Sequence, residues 1–102
     1  MGGRDLIQQF EWDAEKEKAN IKKHGIDFET AKYVFNDEYR VEFLDSAHST
    51  LKEFRYITIG FVDQMLTVIY TDRNDAIRII YARIATMKEA RLYYDDNNKI
   101  YS

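Results

Sequence analysis

The chain has 102 residues, 45% of them hydrophobic and 32% charged, a globular balance in a length that suits one domain spanning 1–102. No apolar run approaches the ~18 residues of a membrane helix. The lack of cysteine excludes disulfides, thiolate chemistry and cysteine-based zinc or iron–sulfur sites. The opening MGGRDLIQQ has no positive-then-apolar secretory pattern, residues 1–9 read as a flexible start, and the expected location is the cytoplasm.

The net charge of −3 hides an asymmetry. Residues 1–51 carry seven Lys/Arg against eleven Asp/Glu, whereas residues 52–93 carry seven against five. Five of those later cations are arginines, Arg55, Arg73, Arg78, Arg83 and Arg91, the residue suited to bidentate contact with carboxylate or phosphate.

In chain order, Asp13 is a fitting N-cap for AEKEKANIKKH, with Lys22 and Lys23 in the last turn and Gly25 as the stop. Asp27 opens a second helix whose Phe28, Ala31, Val34 and Phe35 form one apolar stripe. From about Tyr39 the period changes to two. YRVEFLD reads as a strand and SAHSTLK as a loop. EFRYITIGFV, QMLTVIYT and AIRIIYAR read as three further strands, broken at Asp63-Gln64 and Asn74-Asp75. TMKEARLYYDD returns to a helical period, with Thr86 and Glu89 spaced as a capping box. The expected fold is α+β: two N-terminal helices, a four-stranded, mostly antiparallel sheet and a C-terminal helix.

If both breaks are two-residue hairpins, Val62 faces Met65 and Arg73 faces Ala76. Tyr56, Thr71 and Arg78 then form one row, with Thr58, Thr67 and Arg73 on the same side. Ile57, Ile59, Phe61, Leu66, Val68, Tyr70, Ile77, Ile79 and Tyr81 make the core under all the helices. The polar side is either an ordinary solvated face or a phosphate-binding surface. In the second case arginine supplies the fork, tyrosine a stacking plane and threonine further donors, which suits single-stranded RNA.

The ordered set F-x-W-D, K-x-x-x-N-x-x-K-H-G, F-x-x-A, E-x-R-x-x-x-I-G, Y-T-x-R and R-I-I-x-A-R-x-A, from Phe10 to about Tyr94, resembles the BrnT family of toxins. The resemblance implies a RelE-like ribonuclease fold and RNA cleavage that arrests translation. It also implies neutralisation by a cognate ribbon-helix-helix antitoxin of the BrnA type, which alone contacts DNA. Three positions depart from the family pattern: Ala14 for a proline, Tyr81 for a serine and Ile84 for an arginine. A non-catalytic antitoxin-binding or RNA-binding module of the same fold is therefore the alternative.

A metal-free ribonuclease of this kind lets the RNA 2′-hydroxyl attack the adjacent phosphate. It needs a base, an acid and cations for the charge on phosphorus. Arg55, Arg73, Arg78 and Arg83 are the candidate cations, although Arg55 could instead pair with Asp72 across the sheet. Glu53 beside Arg55, or His24, is the candidate for proton transfer; the plain alternative for His24 is helix capping. Lys22, Lys23, Tyr56 and Thr71 are candidate RNA contacts. His48 reads as surface decoration in a polar loop. Two widely spaced histidines make a poor ligand set, so neither metal nor cofactor is expected. The polar sheet side is also the expected antitoxin surface, with the acidic first helix as the rival.

Overall fold

The computed structural model describes residues 8–101. Its elements are β1 (Gln9–Glu11), α1 (Ala14–His24), α2 (Phe28–Ala31) continued by a 3-10 turn (Lys32–Asn36), β2 (Val41–Leu44), β3 (Arg55–Val62), β4 (Gln64–Arg73), β5 (Ala76–Ile84) and α3 (Met87–Tyr101). They form an α+β fold around one mixed sheet of order β1-β5-β4-β3-β2. The sheet therefore has five strands where four were expected. The extra one, β1, is three residues long and pairs parallel to β5, too short to show an alternating pattern. Of the start expected to be flexible, residues 1–7 lie outside the described residues and Gln9 stands in β1.

Local chemistry sets the helix ends. The Asp13 carboxylate accepts from the backbone N–H groups of Glu15 and Lys16, satisfying two orphan donors of α1. Gly25 closes α1 at φ 74°, the left-handed conformation that glycine adopts without a Cβ penalty. Thr86 and Glu89 bond reciprocally at the start of α3, Thr86 N–H to the carboxylate and Glu89 N–H to Thr86 Oγ1. The second helix is shorter than its stripe suggests, because the chain tightens into 3-10 geometry at Lys32.

The two hairpins differ. Asn74 and Asp75 both take positive φ (52° and 66°), and Arg73 faces Ala76 with Thr71 opposite Arg78, as the sequence suggests. The other hairpin turns about Asp63 alone, φ 59°, so Val62 faces Gln64 and Tyr56 faces Tyr70. That removes one residue from the expected turn and exchanges the two faces of β3. Tyr56 and Thr58 consequently point to the side of Val68 and Tyr70. Ile57, Ile59 and Phe61 share the opposite side with Ile69, Thr67 and Met65.

The core under α1 and α2 joins Phe28, Ala31 and Val34 to Leu66, Val68, Tyr70, Ile77, Ile79 and Ala82. The helices do not all pack there. Glu89 of α3 receives a hydrogen bond from Thr67 and an ion pair from Arg83, both on the opposite face, so α3 covers that side. Ile59 is fully buried on the same side as Thr67. Among the described residues no helix is long and apolar enough to cross a membrane.

Candidate active site

A β-bulge in β5 shapes the site. Ile69 pairs with Tyr81 and Tyr70 with Ile79, leaving Ile80 as the extra residue. Ile80 and Tyr81 therefore both line the wall of one cavity of about 380 Å³, together with Ile57 and Ile69. Its polar lining is Asp45, His48, Arg55, Tyr81 and Arg83.

The loop between β2 and β3 brings His48 to this cavity. Asp45 N–H donates to the Arg55 carbonyl at 2.8 Å, Ser49 Oγ donates to the Asp45 carbonyl at 2.7 Å, and Arg55 N–H donates to Ser49 Oγ at 2.8 Å. These bonds staple the loop to the first residue of β3. His48 Nδ1 lies 3.0 and 3.2 Å from the two carboxylate oxygens of Asp45. The Asp45 side chain is only 10% exposed and that of His48 is 69% exposed, so a held carboxylate orients an accessible imidazole. Sequence reasoning passed over this pair. The signal available was an Asp three residues before a His, but the loop geometry that closes it depends on Ser49 reaching across to β3.

Arg83 forms a bidentate pair with Glu89 (2.7 and 2.8 Å), and its Nε donates to the Tyr81 hydroxyl at 3.0 Å. This pairing pulls the Glu89 carboxyl down to about 2 and raises Arg83 above the ordinary arginine range. Arg83 is thus fixed to α3 and in turn fixes Tyr81. Arg55 donates from Nε to Glu53 at 3.0 Å and not to Asp72, since the observed register sets Arg55 opposite Thr71.

The other sequence-derived candidates stand elsewhere. Glu53, Tyr56, Thr71 and Arg73 line a separate cavity of about 480 Å³. There the Tyr56 ring packs on Tyr70 with centroids 5.4 Å apart, and Thr71, 2% exposed, donates its hydroxyl to the Phe54 carbonyl. The Tyr56–Thr71–Arg78 row does not exist, because Tyr56 lies on the other face. Arg78 pairs with Glu11 of β1 at 3.0 Å. His24 packs edge-on against the Tyr81 ring at 5.4 Å, and its Nε2 is buried without a hydrogen-bond partner. Lys23 lines the same small cavity as His24, whereas Lys22 does not. Among the described residues no group of three or more His, Asp or Glu is placed to hold a metal ion.

A family model described as the BrnT ribonuclease toxin of type II toxin–antitoxin systems matches residues 12–89, well over half of the chain. This chain belongs to the BrnT family. The matched span includes every residue of the cavity and ends at Glu89. A crystal structure of the Brucella abortus ribonuclease toxin BrnT shares the fold, with TM-score 0.60 and 24% identity over 78% of this chain and 99% of that one. No curated protein matches the sequence. BrnT membership makes this a ribonuclease toxin family chain, with RNA as substrate and a cognate antitoxin as partner.

Proposed function

We propose that this chain is a metal-independent endoribonuclease that cleaves RNA in the cavity between the 45–50 loop and β5. We further propose that it arrests translation in the cytoplasm and is neutralised by a ribbon-helix-helix antitoxin. The observation that carries the reading is the His48–Asp45 pair on the rim of a cavity that Arg55 and Arg83 also line.

In this reading Asp45 holds His48 by Nδ1, which leaves Nε2 to take the proton from the RNA 2′-hydroxyl. The bond from O2′ to phosphorus forms as that to O5′ breaks, and the guanidinium of Arg55 meets the charge that builds on the phosphoryl oxygens. The Tyr81 oxygen already accepts from Arg83, so its own proton is free for the leaving O5′. Tyr81 thereby keeps a hydroxyl in the site where the family pattern has serine. Base, acid and cation are all side chains, so the reaction needs no metal.

The test is cleavage of a single-stranded RNA by the purified chain in excess chelator. Products ending in a 2′,3′-cyclic phosphate, and resistance of RNA with 2′-deoxy sugars, are expected. Cleavage that requires a divalent cation, or that leaves 3′-hydroxyl ends, contradicts the mechanism. Expression in bacteria should stop growth, with rescue by the antitoxin. A second reading, a non-catalytic binding module, is favoured by the ion pairs that already occupy Arg55 and Arg83. RNA bound but uncut, with growth unaffected, would select it.

A further inference from the structure

The K-x-x-x-N-x-x-K-H-G run is Lys16, Asn20, Lys23, His24 and Gly25, and the proposed cleavage cavity accounts for none of it. Asn20 has a structural task. It is 6% exposed, its Nδ2 donates to the carbonyls of Ile26 and Ala82 at 2.8 Å, and its Oδ1 accepts from Ala82 N–H at 3.1 Å. Those bonds clamp α1 onto β5 just beyond the bulge. Lys16 and Lys23 lie four residues before and three after Asn20, on the same side of the helix. Among the described residues neither ammonium group is held in a salt bridge.

Both lysines line a cavity of about 200 Å³ whose walls include Ile80 and Tyr81. The same two residues form a wall of the larger cavity with His48 and Arg55. The bulge therefore joins two cation-bearing cavities across one tyrosine. The smaller has Lys16, Lys23 and His24 in its lining and no carboxylate, in a chain whose net charge is −3. Lysines outside any salt bridge, in a lining without carboxylates, leave positive potential there.

We propose that this second cavity binds the backbone phosphate of a nucleotide neighbouring the scissile one, so that single-stranded RNA passes over Tyr81 from the His48 cavity to Lys16 and Lys23. The inference deepens the cleavage reading and rests on it for the direction of the strand, but its test is binding. Tyr81 offers an apolar ring between the two phosphate positions, on which an intervening base or sugar can rest.

The experiment measures binding of a 2′-O-methyl RNA of about ten nucleotides, which cannot be cleaved, at several salt concentrations. Loss of that phosphate contact lowers the salt slope by about 0.7 for a single strand, with affinity about tenfold weaker in Lys16→Ala/Lys23→Ala. Lys18→Ala/Lys88→Ala removes the same charge from two exposed helix positions outside the cavity and is expected to leave both values unchanged. For cleavable RNA, the Lys16/Lys23 variant is expected to raise KM for the long strand, with kcat and the KM for a dinucleotide at wild-type values. Unchanged binding and slope in that variant, or an equal loss in the Lys18/Lys88 control, would overturn the proposal. So would a variant that weakens only the antitoxin complex, since the surface would then belong to the protein partner. A chain that binds RNA through Lys16 and Lys23 yet cuts nothing would remove the cleavage reading and uphold this one.

Discussion

Glu89 links three parts of the molecule: the N-terminus of α3 through Thr86, the sheet through Thr67, and the cavity through Arg83 and hence Tyr81. Its folded-state carboxyl lies at about 2, below the ordinary 4.5. A carboxylate held low in this way stabilises the fold above its unfolded value, and the contribution disappears as pH falls from about 4.5 to about 2. Glu89→Gln at neutral pH leaves Arg83 without its counter-charge in a partly buried place. It is expected to cost about 2 kcal/mol, lowering Tm by roughly 10 °C. The variant should also show a flatter Tm profile between pH 4.5 and 2 than the parent, measured by thermal denaturation across that range. An identical profile would show that the pair contributes nothing. Much at this scale was legible in the sequence, because caps are local. Asp13, Gly25 and the Thr86/Glu89 box act within a few residues of themselves. The Asp45–His48 pair was not legible, because it depends on a loop closed by contacts with β3.

Among the elements, β3 shows how one turn residue decides a face. The alternation of EFRYITIGFV is plain, but alternation alone does not say which half is inward when both faces of a strand are apolar or threonine-rich. Asp63 in left-handed conformation makes the turn one residue shorter than a two-residue hairpin. The Asp37 carboxylate, accepting from Phe61 N–H at 2.9 Å and from the Tyr93 hydroxyl, ties that end of β3 to α3. With both sides of the sheet covered, the arginine-bearing face is not the open surface the sequence suggests. The bulge at Ile80 in β5 has no sequence marker, since Ile80 and Tyr81 both suit a strand.

Two substitutions test these element-level assignments. At Asp75, φ 66° in a two-residue turn after Asn74, glycine relieves the left-handed penalty. Asp75→Gly is expected to stabilise the fold by about 0.5–1 kcal/mol, seen as a higher denaturation midpoint with unchanged m-value. Gly60 sits where a Cβ would lie 2.9 Å from Val34 Cγ1 and 3.3 Å from the Val34 carbonyl oxygen. Gly60→Ala should therefore destabilise by about 1–3 kcal/mol, since the core under the 3-10 turn must shift to admit a methyl group. A neutral Gly60→Ala would mean that β3 approaches the helices less closely than described.

Taken as a whole, the molecule is an acidic protein of a family whose substrate is a polyanion. It reconciles the two by location. Of the arginines in the 52–93 stretch, Arg83 is paired to Glu89, Arg78 to Glu11 and Arg55 to Glu53. In the proposed reading the remaining potential for RNA comes from Lys16 and Lys23, which stand outside these ion pairs beside the bulged strand. The fold class was legible because period, caps and turn residues agree along most of the chain, and the family because its motifs occur in order. The catalytic assignment rests instead on a contact between Asp45 and His48 that only the folded loop creates. The most direct measurement is the single-turnover cleavage rate of His48→Ala in chelator, alongside its affinity for uncleavable RNA. Loss of a positioned general base should slow cleavage about 10²–10⁴-fold, with affinity and Tm close to the parent values. Cleavage by His48→Ala at the parent rate would contradict the assignment and move the base elsewhere in the molecule.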